Sequence, residues 1–216
     1  MLAVASDGWS ANRMYVTGTL TPTVLRSVSA SDAASSSLPK LEKTPAAKAM
    51  AGALAHASTG RLPARVVAAV ARLARSAHAG RLRAGKGRVL LSKLGPKHRS
   101  VYVFPTTKGA VCFDITHLAE GCKRAFLVGE PASIDGGSFF YPPTSGPPAE
   151  MAGLTKDGVK RVRVVVRGTP HKAVFGHDAW YYRFPDNRIP ATAATKLIVT
   201  LEDGSTKVVP TRIIKP

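Results

Sequence analysis

Residues 100–116 read SVYVFPTTKGAVCFDIT, and their spacing decides the fold. Ser100 to Phe104 and Ala110 to Thr116 flank the turn-forming run Pro105-Thr106-Thr107-Lys108-Gly109, and Val111, Phe113 and Ile115 fall on every second position. A period of two belongs to a pleated strand, so the stretch predicts a β-hairpin.

The same period continues toward the C-terminus. From Val159 to Arg167, Val162, Val164 and Val166 alternate with Arg161, Arg163, Val165 and Arg167, the pattern of a sheet with one wet face. Gly168-Thr169-Pro170 turns the chain toward Lys172 to His177, and Trp180 to Phe184 is a further short strand stopped by Pro185. Asp203-Gly204 is a turn signal between KLIVTLE and STKVV. Read as a two-residue loop it pairs Leu201 with Thr206 and Val199 with Val208, placing Leu197, Val199, Leu201 and Val208 on one face. Six or so strands with no long helix between them predict a mainly β fold, a small antiparallel sandwich or open barrel over residues 100–216.

Toward the N-terminus the composition changes. Twelve of the fourteen aromatic residues lie beyond residue 99, so the large core anchors belong to the second part, while 21 of the 32 alanines lie before residue 100. Alanine favours helix but buries little area. Residues 1–45 are low in apolar bulk and are expected to be disordered. Residues 46–99 are expected to form a basic, alanine-rich helical segment or linker. Thr44-Pro45 would open a helix over AAKAMAGALAHAS that Gly60 closes. A second helix would run from Leu62 or Pro63 to about His78, with Val66, Val67, Val70, Leu73 and Ala74 on one side and Arg65, Arg72 and Arg75 largely opposite. Its apolar stripe is expected to pack on the β domain or a neighbouring helix, with membrane-surface docking as the other use of such a helix.

Charge follows the same division. The chain carries a net +18, and residues 61–99 hold eleven basic side chains and no acid. Arg61, Arg65, Arg72, Arg75, Arg81, Arg83, Lys86 and Arg88 are therefore candidate contacts for an anionic polymer or surface: wall polymer, anionic lipid or nucleic acid. No apolar run of about 18 residues is present, so no transmembrane span is expected. The opening MLAVASDGWSANRMYVTG lacks the basic start and continuous apolar stretch of a secretory signal, although an acid-poor, Ser-, Ala- and Arg-rich start also suits an organellar transit peptide.

Cys112 and Cys122 are the only cysteines. A disulfide is the plain reading, and it would place the chain in the envelope or outside the cell; two reduced buried thiols are the alternative. Cys112, His117 and Cys122 give C-x4-H-x4-C, but Gly109 stands where a zinc knuckle has its first cysteine, so no metal site is assigned. No nucleophile elbow, zinc-protease helix, phosphate loop or dinucleotide fingerprint is present, and no catalytic or cofactor-binding residue is assigned. His177-Asp178 would be a base with its carboxylate only if the two side chains converged. The loop GEPASIDGGSFFYPPTSGPPAEMAG at 129–153 carries Phe139, Phe140 and Tyr141, either as an aromatic ligand platform or as a flap that caps the core.

VYVFPTTKGAVCF, the following Gly121-Cys122 and GLTKDGVKRVRVVVRG at 153–168 resemble a group of uncharacterised, envelope-associated proteins of high-GC bacteria. Those proteins share a Pro-Thr, Gly, Val-Cys run followed by a Gly-Leu, Asp-Gly-Val, alternating-Val run, and the resemblance covers roughly Ser100 to Gly204. It implies a fold and an envelope setting, and no reaction. The sequence thus leads to a non-enzymatic binding or structural domain of the cell envelope. The alternatives are sequence-independent nucleic-acid binding through residues 61–99 and an enzyme, such as a hydrolase of envelope polymers, with an unrecognised site.

Overall fold

A computed structural model of the chain describes residues 41–138 and 147–211. The protein is mainly β, built from three four-stranded antiparallel sheets. The first sheet is a meander of β2 (Arg88–Leu94), β3 (Arg99–Pro105), β4 (Val111–Ile115) and β5 (Ala119–Lys123). Strand β6 (Ala125–Leu127) pairs separately with β1 (Leu41–Pro45). The second sheet takes β7 (Gly136–Ser138), β8 (Glu150–Leu154), β12 (Ala179–Arg183) and β11 (Val174–Gly176), with β8 and β12 in its interior. The third runs in the order β10 (Thr169–Lys172), β9 (Val159–Val166), β13 (Ala194–Leu201), β14 (Thr206–Pro210).

The expected hairpin at 100–116 is β3–β4, with Val101 opposite Ile115 and Val103 opposite Phe113. Its alternation feeds two different cores. Odd-numbered Val101, Val103, Val111, Phe113 and Ile115 point to the second sheet, where Ala152, Leu154, Ala179 and Tyr181 meet them. Even-numbered Phe104 and Cys112 point the other way, onto the helix described next. The second sheet repeats the division: Met151, Trp180 and Tyr182 face the third sheet and its Val162, Val164, Val166, Leu197, Val199 and Val209. Apolar side chains on both faces make β8 buried throughout.

Helix α3 (Ala64–Ser76) covers the outer face of the first sheet, burying Val66, Val70 and Ala74 against Phe104, Cys112 and Cys122. The layers therefore stack in the order helix, first sheet, second sheet, third sheet. The shorter α1 (Ala46–Ala49) and α2 (Ala51–His56) lean on the first core through Ala46, Met50 and Ala53. They are not the single helix expected from the sequence: the chain breaks at Met50, whose φ/ψ of −120°/28° leaves the helical region. Pro45 stands before α1 as its N-cap rather than inside it.

Strand structure begins before the change of period near Ser100: the first sheet starts at Arg88, and β1 (Leu41–Pro45) lies at the end of the stretch expected to be disordered, where pairing with β6 orders it. Irregular register between Val89 and Leu91 and between Leu91 and Leu94 erases the alternation that would have marked β2 in the sequence. The final hairpin also departs from expectation. Leu201 N–H donates to Ser205 O at 2.9 Å and Thr200 pairs with Thr206, so the loop has three residues, with Gly204 at φ +83° supplying the left-handed position. The register moves by one residue: Val209 faces inward and Val208 is 61% exposed.

Two polar ties hold the layers together. Arg99 of β3, itself 2% exposed, pairs with Glu150 of β8 through Nε–Oε2 at 2.7 Å and donates from its guanidinium to Thr116 O at 2.7 Å, while Tyr181 Oη donates to Glu150 Oε1 at 2.7 Å. Asp135 accepts from Leu154 N–H at 2.9 Å and from Ser133 Oγ at 2.6 Å, and meets Lys123 Nζ at 3.2 Å. Trp180 Nε1 donates to Ser133 O at 2.9 Å beside Gly153, where an added Cβ would lie 1.9 Å from that oxygen.

Candidate anion-binding site

Helical spacing puts Arg65, Arg72 and Arg75 on the side of α3 away from the sheet, and all three are exposed. Arg65 approaches Asp114, which stands directly opposite Glu120 across β4 and β5. Burial first, then the Glu120 charge, pushes the Asp114 carboxyl up to about 6, and Arg65 opposes that shift. The Arg65 charge is thus partly compensated within the fold.

Beyond the helix the cations gather. Thr107 N–H donates to Arg81 O at 2.9 Å, and Arg81 N–H donates to Thr107 Oγ1 at 3.0 Å, so the β3–β4 turn is tied to the segment leaving α3. The tie borders a shallow, open depression of about 330 Å³ lined by Arg75, His78, Arg81 and Lys108, among others, with no carboxylate on its wall. Arg72 lies one helical turn back, and Arg124 donates from its guanidinium to Ala77 O beneath the helix end. Among the described residues no ion pair involves Arg72, Arg75, Arg81 or Lys108; the pairs present use Arg99 and Lys123. The arrangement is a cluster of cations with no neutralising carboxylate, which raises the local electrostatic potential.

The other nominated cations do not join this recess. Arg61, Arg83 and Lys86 are exposed elsewhere, and Arg88 is half-buried with one guanidinium nitrogen donating to Gly87 O at 2.9 Å. In sequence Lys108 is an ordinary turn lysine, and only the contact between turn and helix end brings it to Arg75 and Arg81.

Cys112 and Cys122 sit opposite each other on β4 and β5 and form a buried disulfide. This removes the thiolates that a C-x4-H-x4-C metal site requires. His117 has φ 57° in the turn that follows β4. His177 and Asp178, at φ 46° and 59°, form the two-residue turn between β11 and β12, with left-handed conformation at both positions as a type I′ hairpin demands. His177 is exposed and Asp178 is buried, so they do not act as a base with its carboxylate. Asp178 instead bonds to the side chain of Asp157, whose oxygens accept from Gly52 N–H at 2.9 and 3.2 Å. Burial first, then the bond to Asp157 and its charge, push Asp178 up to about 8. Phe139, Phe140 and Tyr141 lie outside the described residues.

No helix among the described residues is long and apolar enough to cross a membrane. No family model, curated protein or solved structure gives a significant match to the chain.

Proposed function

We propose that this protein is a non-enzymatic binding module of the cell envelope that holds an anionic wall polymer on the cationic pole formed by Arg72, Arg75, Arg81 and Lys108. One observation carries the reading. The helix that presents this pole is seated on the buried Cys112–Cys122 bond, packing Val66, Val70 and Ala74 against it and Phe104. A disulfide persists in an oxidising compartment, which favours an envelope polymer over cytoplasmic nucleic acid. The pole also lacks an aromatic side chain for base stacking.

The test is retention of the full chain on an immobilised phosphate-bearing polymer, poly(glycerol phosphate), across a salt titration. Binding through the pole releases counterions, so the logarithm of affinity falls steeply and linearly with the logarithm of salt concentration. Replacing Arg72, Arg75, Arg81 and Lys108 together by Gln should weaken binding about tenfold or more and flatten that slope. Unchanged retention in the variant overturns the proposal. Tighter binding to duplex DNA than to the wall polymer, lost in the same variant, would favour the nucleic-acid alternative instead.

A further inference from the structure

The third sheet carries a second cationic surface on the far side of the molecule. Its inner face is apolar, so the alternate positions of the same strands form its outer face, on which Val165 is 2% exposed and Arg163 half-buried while Arg161, Lys172 and Lys196 around them are exposed. On that outer face Lys172 of β10 stands directly opposite Arg163 of β9, Arg161 follows two residues along, and Lys196 of β13 lies opposite Val165. The remaining paired positions are Pro170, Ile198, Thr200, Thr206, Val208 and Pro210, so no carboxylate occupies a paired strand position of the face. Like charges directly opposed in a sheet destabilise it unless an anion lies between or over them. Beside them, where the chain steps from β10 into β11 through buried Ala173, a groove of about 520 Å³ is lined by Lys160, Arg161, Lys172, Val174 and Phe175.

The layer order puts this surface and the helical pole at opposite ends of the stack. With sheets about 10 Å apart, the two lie roughly 30 Å from each other. A polymer segment lying on one is turned away from the other. We infer that the protein is bivalent: each pole takes its own segment of a phosphate- or carboxylate-bearing polymer, and one molecule cross-links two segments. This rests on the polymer-binding reading of the helical pole and extends it to a second, independent surface.

Light scattering of the full chain mixed with long-chain inorganic polyphosphate tests this, alongside binding measured by calorimetry on the same samples. Cross-linking gives scattering that rises, peaks near charge equivalence and falls again in excess protein. The variant K160Q/R161Q/K172Q/K196Q, in which every altered side chain is exposed, should still bind through the helical pole but lose at least tenfold of the scattering. The variant R72Q/R75Q/R81Q/K108Q should do the same through the sheet. Circular dichroism matching the unaltered protein checks that both variants fold. Scattering by the sheet variant equal to that of the unaltered protein overturns bivalence, as does polymer binding by the unaltered protein that never scatters; either result leaves the proposed function standing. Absence of any binding to polyphosphate and to polyglutamate by the unaltered protein overturns both.

Discussion

Four of the six histidines, His78, His98, His117 and His177, sit at positive φ between 46° and 57°. At these positions the short polar ring tolerates a left-handed backbone, which accounts for them without chemistry. Asp178 shares that geometry, and its buried carboxyl is tied to Asp157 at the start of α2. Its folded pKa of about 8 lies above the ordinary value of 3.8, so the folded state holds a proton that the unfolded state releases. The stabilisation is complete below pH 4 and is lost as pH rises through about 8. Asp178→Asn, which keeps a donor toward Asp157 and tolerates positive φ, should remove this slope, so that the variant gains stability over the unaltered protein at pH 8 more than at pH 5; urea midpoints across that range measure it. Arg99 belongs to the same scale. Its removal leaves Glu150 buried without its cation, so Arg99→Met should cost about 3 to 5 kcal/mol in the same melts.

Among the elements, α3 and the terminal hairpin show what the sequence made legible and what it did not. The stripe Val66, Val70, Ala74 was readable because a helix keeps a constant angular step, and it packs as that step requires. Strands β3, β4 and β9 were readable because each keeps regular alternation against one partner, β3 with β4 and β9 with β10. Strand β2 was hidden by its irregular register, and three stacked sheets could not be told from two because burial on both faces of β8 leaves no alternation. The terminal turn was located, yet its register depends on whether Glu202 lies in the strand or the loop, a matter of backbone geometry that residue types do not settle. The observed register has a consequence: Val209→Ala should destabilise by about 1 to 2 kcal/mol, whereas Val208→Thr should be close to neutral, as denaturant midpoints will show. The cationic recess was half legible. Arg75 and Arg81 were visible as part of a basic run, but Lys108 joins them through a tertiary contact between a turn and a helix end.

At the scale of the whole molecule the layers converge on one bond. Cys112 and Cys122 join β4 to β5 in the sheet that carries α3 on one side and the first core on the other. Closing a loop of ten residues should stabilise the fold by about 2 to 3 kcal/mol on the chain-entropy account. On the proposed function the same bond also bears on the compartment, because a disulfide persists in an oxidising one, and with it on the polymer that the exposed arginines are proposed to meet. The most direct measurement is therefore the thiol count of the protein taken from its native cells, denatured without reductant and treated with a maleimide of known mass. The account predicts no adduct before reduction and two after it. Two adducts before reduction would contradict it.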